Sequence, residues 1–202
     1  MKNPYVLFLP KNIPYELFPK NYIKYENHLL KLNKEDRNSR FGYPISTSGI
    51  KNYISTLNKE KDIIIGIEDE ENENIIAAAH LALIKHEGEK IIELGLSVNE
   101  NYRGKGLGNK LFKHTINKAR NRGYNLLETQ CLTNNTWMMK KAEKEKMILA
   151  RDGLEATGKI KLAGPHFMTH FSELNSSNQR FVKNMFDTYF KVTDPFSYLP
   201  QN

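Results

Sequence analysis

The sequence predicts an α/β fold in which helices flank a mixed central β-sheet. Three observations predict it. Apolar and β-branched runs at 63–67, 75–84 and 91–98 follow one another across short polar links. From Leu107 the apolar residues switch to helical spacing. Strand-like and helix-like patterns then alternate as far as Gly164. Successive strands joined by short links form hairpins, which excludes a wholly parallel sheet. With 202 residues, 39% of them hydrophobic, the chain has length enough for one medium-sized domain with extensions.

Residues 1–20 hold Pro4, Pro10, Pro14 and Pro19 and read as an extended lead-in. The domain proper is expected over 21–164, followed by a helical extension over 165–202. His28-Leu29-Leu30-Lys31-Leu32 reads as a first strand, and Asn33 with Asp36 opens a helix through Arg40. Ser46 to Ser48 cap a helix carrying Ile50, Tyr53, Ile54 and Leu57. The strand 63–67 ends at the acidic turn 68–74. The runs 75–84 and 91–98 form a hairpin around 86–89; a turn near 87 and 88 would set position 80 opposite position 95. Leu107, Leu111, Phe112, Ile116 and Ala119 share one face of a helix that Gly123 stops. Leu126 to Leu132 is a strand, Asn134 caps a helix over 136–146, and strands near 147–151 and 158–162 close the domain. A last helical pattern spans about 178–190 and stops before Pro195.

The formal charge of +7 and the pI near 9.3 favour anionic partners. Basic residues interleaved with stacking aromatics are not seen, which disfavours a nucleic-acid binder. No run approaches the roughly 18 apolar residues of a membrane helix. The N-terminus makes a poor signal peptide, so a cytoplasmic protein without membrane attachment is expected. Cys131 is the only cysteine, which excludes an internal disulfide and a multi-cysteine zinc site. His166 and His170 have metal-like spacing but no further ligand in view, and no metal is expected.

Chemistry concentrates in Arg103-Gly104-Lys105-Gly106-Leu107-Gly108, a glycine-rich turn between a strand and a helix. Glycines let main chain approach a ligand, and the first N–H groups of the helix, reinforced by its dipole, make an anion site suited to a pyrophosphate. A P-loop is excluded, because Gly104 is followed five places later by Asn109 and Lys110 by Leu111. A dinucleotide fingerprint fails as well, since neither glycine pair reaches a third glycine at the required spacing.

The turn resembles the coenzyme A signature [QR]-x-x-G-x-[GA] of the GNAT acetyltransferase superfamily, through Arg103, Gly106 and Gly108. Glu93-Leu94-Gly95-Leu96-Ser97-Val98 looks like the family's splayed fourth strand, with Glu100 where the approach usually has proline. Asn135-x-x-Met138-x-x-x-Ala142 is similar to the family's N-x-x-[AM] segment. His28–Leu32, Glu35-Asp36-Arg37 and Arg40-Phe41 look like a bacterial subgroup of undefined substrate. The resemblance covers about residues 22–163.

It implies an N-acetyltransferase that uses acetyl-CoA as cosubstrate and acetylates a primary amine by direct attack in a ternary complex; the acceptor is a small molecule or a protein lysine, and a homodimer is compatible with it. By position, the N–H groups of 103–108 would bind the pyrophosphate. The main chain of Leu96, Ser97 and Val98 would pair with the pantetheine arm, with the N–H of Val98 facing the oxyanion, and Asn135 would bind the arm from the opposite wall. Glu93 is the first candidate base and His80 the second, diagonal to it on one sheet face in the expected register. Relatives often carry a tyrosine acid where this chain has Ala142. That departure keeps a second reading open, a catalytically weak acyl-CoA-binding regulatory module.

Overall fold

The computed structural model describes residues 12–69, 71, 73–86 and 89–164. The helix expected over 178–190 and the pair His166 and His170 lie outside them.

Local sequence determines most of the elements. The strands are β1 (Tyr15–Leu17), β2 (Ile63–Glu68), β3 (Ile75–His86), β4 (Glu89–Val98), β5 (Leu126–Leu132), β6 (Ile148–Asp152) and β7 (Glu155–Lys161). The helices are α1 (Tyr22–Lys31), α2 (Lys34–Phe41), α3 (Thr47–Thr56), α4 (Leu107–Asn121) and α5 (Thr136–Lys144). Asn33 caps α2 by accepting from the Asp36 N–H at 2.8 Å, and Ser46 caps α3 through the Gly49 N–H at 3.1 Å. Gly42 and Gly123, at φ +79° and +75°, end α2 and α4 in the left-handed conformation that a side chain disfavours.

Two expectations are corrected. Residues 28–32 do not form a strand; they are the last turn of α1 and its C-cap. The deciding pattern is Tyr22, Tyr25, His28, Leu29 and Leu32, all buried at spacings of three and four, so the apolar run was the end of a helical stripe. The cap of α5 is Asn135, whose Oδ1 accepts from the Met138 N–H at 3.1 Å, not Asn134.

The strands make one seven-stranded sheet in the order β1-β2-β3-β4-β5-β7-β6, antiparallel except for β4 and β5. Tyr15–Leu17, within the expected lead-in, adds an edge strand. The β3–β4 hairpin pairs His80 with Gly95 and Ala82 with Glu93, the register read from the sequence. Residues alternate between two cores. Ile63, Ile65, Ala79, Leu94 and Leu127 meet Leu111 and Phe112 of α4 on one face. Ile64 and Ala78 meet Tyr25 and Leu29 of α1 and Ile50 of α3 on the other. Each fully buried aliphatic contributes roughly 1.5–3 kcal/mol, so burial on both faces makes β2 and β3 the rigid centre from which β4 is held. No helix among the described residues is long and apolar enough to cross a membrane.

Candidate functional site

The parallel strands β4 and β5 separate partway along their length. Their ladder runs from Ile91 and Leu126 to Glu93 and Glu128 and stops there. Beyond it β4 follows β3 to Val98, while β5 follows β7 to Leu132. The Thr129 hydroxyl donates to the Leu94 carbonyl at 2.9 Å where the next ladder bond would fall, and the strands diverge past it.

That divergence exposes main chain on a predictable pattern. In an antiparallel ladder the N–H and C=O of alternate residues face the partner strand. The Asn99 N–H reaches the Ile76 carbonyl at 2.9 Å, so Asn99, Ser97 and Gly95 face β3. Leu94, Leu96 and Val98 face the gap, as the Thr129 contact to Leu94 independently requires. The gap opens into a cleft of about 520 Å³ whose walls include β4 from Leu94 to Val98, Thr129 of β5, and Asn135 and Trp137 at the start of α5. From Leu94 to Val98 is about 13 Å at the usual strand rise, the length of an extended arm lying beside the strand.

At its outer end the cleft meets the start of α4. Gly104 and Gly106 sit at φ +74° and +76°, and a Cβ added at either would meet nothing within 4 Å. The glycines are therefore required by the backbone turn, and the space above them is open. Gly106 is the N-cap, and no side chain caps the helix. The Lys110 N–H makes the first helical bond, to Gly106 at 3.1 Å, which leaves the N–H groups of Leu107, Gly108 and Asn109 as the helix's own free donors. Free donors at the positive end of a fifteen-residue helix form an anion site. Arg103 extends beside it and pairs with Asp36 of α2 across the cleft mouth.

A polar network lies under the inner end, on the sheet face that carries Glu93, Gly95 and Ser97. The Arg40 guanidinium packs flat on Gly95, where a Cβ would come within 2.3 Å of Cζ, and its Nη2 donates to Tyr25 Oη at 3.2 Å and to Tyr53 Oη at 3.1 Å. Tyr53 Oη is 2.6 Å from His80 Nδ1, and His80 Nε2 lies 3.3 Å from Asp62 Oδ2. A proton on Nε2, facing the carboxylate, leaves Nδ1 to accept from Tyr53. Burial lowers the His80 pKa, with Asp62 opposing, and pushes the Tyr53 phenol well above its ordinary value; at neutral pH both are uncharged. His28, also on this face, donates from Nδ1 to the Ile75 carbonyl at 3.1 Å and accepts from Ser97 Oγ at 2.8 Å on Nε2. Its burial holds the imidazole pKa down to about 4.

The structure brings together most of the residues singled out in the sequence. Leu96, Ser97, Val98, Arg103, Gly104, Gly106, Leu107, Gly108 and Asn135 all line the cleft. Lys105 does not; its ammonium lies 4.9 Å over the Tyr102 ring. Ser97, expected to pair with the arm, offers the cleft no free hydrogen-bonding group, since its main chain faces β3 and its hydroxyl is committed to His28. The Asn135 Oδ1 is spent on capping α5, which leaves its amide nitrogen as the free donor. Glu93 is half-buried two residues inward from Gly95, and neither it nor His80 lines the cleft. Cys131 is buried, which raises its thiol pKa, as befits packing rather than a nucleophile. Sequence reasoning assigned no site role to Asp36, Ser39, Arg40 or Thr129, all of which line the cleft. The first three share a face of α2, and that polar stripe at spacings of three and four was the signal available.

The model of the acetyltransferase (GNAT) family matches residues 28–144. No curated protein matches the chain in sequence. Among solved structures it is similar to the GNAT domain of PAT from S. lividans, at 16% identity and a TM-score of 0.61 over 74% of this chain and 89% of that one. It is similar to an N-acetyltransferase from Staphylococcus aureus Mu50, at 16% identity and a TM-score of 0.56 over 74% and 98%. A ribosomal-protein-alanine N-acetyltransferase from Brucella melitensis aligns at 14% identity and a TM-score of 0.56 over 74% and 99%. At these identities the structures speak to the fold alone, and in each case they share the mixed sheet with flanking helices. A family match across more than half of the chain, on a sheet that opens between β4 and β5 toward an uncapped glycine-led helix, makes this protein a member of the GNAT acetyltransferase family, whose enzymes move an acyl group from acyl-CoA to an acceptor.

Proposed function

We propose that the protein transfers an acetyl group from acetyl-CoA to a primary amine by direct attack in a ternary complex. The observation that carries this reading is the opened β4–β5 pair leading to the free N-terminus of α4. The residues present suit coenzyme A. The N–H groups of Gly106 to Asn109 would hold the pyrophosphate, the main chain of Leu96 and Val98 would pair with the amides of the pantetheine arm, and the Asn135 amide would donate from the facing wall. The arm then delivers the thioester between Leu94 and Leu96, where the N–H of Leu96, rather than that of Val98 about 7 Å farther out, stabilises the developing oxyanion.

The acceptor reaches the thioester from the α2 face. An alkylammonium of pKa about 10.4 must lose a proton before it attacks, at a cost of about 4.6 kcal/mol at pH 7. Attack forms the C–N bond and breaks the C–S bond; the adduct loses a second proton, the thiolate takes one up, and one proton is released overall. Glu93 on the same face is our choice for the carboxylate that collects those protons through water. His80, with Nδ1 engaged by Tyr53 and Nε2 facing Asp62, is better suited to holding Tyr53 than to taking a proton directly. Ala142, buried at the position of the family tyrosine, supplies no acid, and the thiolate, with a pKa near 8.5, leaves without one.

The test combines calorimetry of CoA binding with release of free thiol over an amine panel. Binding together with amine-dependent thiol release supports the proposal. CoA binding with no release from any amine would favour the regulatory module that Ala142 permits, and absence of CoA binding would overturn both readings.

A further inference from the structure

Arg40 is not used by the chemistry above, yet it is the strongest unbalanced charge in the site. The guanidinium stays protonated at any physiological pH. Its neighbours are two neutral phenols, the Phe41 ring at 5.0 Å and the main chain of Gly95. Among the described residues no carboxylate lies within ion-pair distance of it. Asp36, one helical turn away, turns to Arg103 instead. The Arg40 Nε is buried without a hydrogen-bond partner, and only Nη2 is engaged by the protein. Burying a cation with no counter-charge is costly, and this cost is met at the wall of the cleft.

We propose that Arg40 binds a carboxylate on the acceptor, so that the acceptors are small amines carrying a carboxylate a few bonds from the nitrogen, amino acids being the simplest class. This deepens the acetyl-transfer reading and rests on it. Position along β4 argues for the acceptor. Gly95 lies about 10 Å from Val98 and farther still from Gly104, too far inward for Arg40 to serve the pyrophosphate. Pantetheine lies in the sheet plane against Leu96 and Val98, whereas Arg40 stands on the sheet face that the acceptor crosses. Glu93 sits two residues away on that face, about 7 Å along the strand. A carboxylate held on Arg40 therefore places a nearby amine between the thioester and Glu93. Tyr25 and Tyr53 take both N–H groups of Nη2 and fix the guanidinium's orientation, which leaves Nη1 to donate to a carboxylate.

The experiment uses the full chain with acetyl-CoA, reading thiol release for matched pairs of an amino acid and its amide, with succinyl-CoA as a second donor. Wild-type protein is expected to favour the acids by on the order of tenfold to a hundredfold in kcat/KM, the value of a charge-assisted bond. Arg40→Gln is expected to erase that preference by raising KM for the acids far more than for the amides. Gly95→Ala keeps the charge but drives the guanidinium off the strand, and should do the same. CoA calorimetry on each variant checks that the fold is intact.

Acids and amides used equally by the wild type, or a preference that survives both substitutions, would overturn the assignment. A charge effect confined to succinyl-CoA would move the carboxylate to the acyl chain and overturn it too, as would a CoA-loaded protein that neither binds nor acetylates any amino acid. Failure of CoA binding in the wild type would instead sink the underlying reading.

Discussion

Replacing Gly106 with glutamate tests the pyrophosphate site through two separable costs. A left-handed φ of +76° costs a residue with a Cβ roughly 1–2 kcal/mol, part of which is returned by about 0.4–1 kcal/mol of lost freedom in the unfolded chain. A Cβ there meets nothing within 4 Å, so packing adds no further penalty. The folded state should lose about 1 kcal/mol, a fall in Tm of roughly 2–4 °C for a chain of this size. The affinity cost is larger. A carboxylate about 5 Å from two phosphate charges is repelled by about 2 kcal/mol at the dielectric of water and by about 7 kcal/mol at an effective value of 20. Gly106 is exposed, so the lower figure applies, and CoA affinity should fall at least tenfold. Gly106→Ala, which carries only the strain, should cost no more than a few-fold. Titration calorimetry with CoA and parallel thermal melts separate the two costs. If the glutamate variant binds CoA within threefold of wild type while showing the small Tm loss, the phosphates do not sit at this helix terminus.

Glu93→Gln should leave CoA affinity unchanged and lower kcat, with the alkaline limb of the pH profile retained; unchanged turnover removes Glu93 from the mechanism. Stability should fall with acid because of His28, whose pKa drops on burial from 6.5 to about 4. Above 6.5 neither state takes the proton, between 6.5 and 4 only the unfolded chain does, and below 4 both do. The loss should reach about 2 kcal/mol by pH 5 in urea melts, with buried His80 acting in the same direction, and His28→Asn should flatten the slope; a variant as pH-sensitive as wild type would refute it. Gly108→Ala places a Cβ 2.8 Å from Cζ2 of Trp137, the only tryptophan. The ring, 42% exposed, should swing outward, which a red shift in tryptophan fluorescence would report; an unchanged spectrum would show that the backbone yields instead.

Much of the site was legible because its determinants are local. Gly104 and Gly106 mark left-handed turns, and the run from Leu107 to Ala119 writes its own amphipathic helix. Asn33 and Ser46 announce the caps of α2 and α3. The β3–β4 register followed from a short turn, since few residues lie between the strands to let it slip. Misreading residues 28–32 shows the limit of the same approach. Two adjacent leucines between polar neighbours satisfy a strand pattern as well as the end of a helical stripe, and only Tyr22 and Tyr25, a turn or two earlier, decide between them.

The residues of 93–108 by themselves determined the left-handed glycine turn and the free donors at the start of α4, because glycine conformation and helix-end donors need no distant partner. Tertiary structure alone decided where β4 leaves β5, since that depends on which strand holds Thr129, and it alone set Arg40 from α2 against Gly95. Sites separated by 55 positions meet only when packing closes the loop between them, and no periodicity in either segment encodes the pairing.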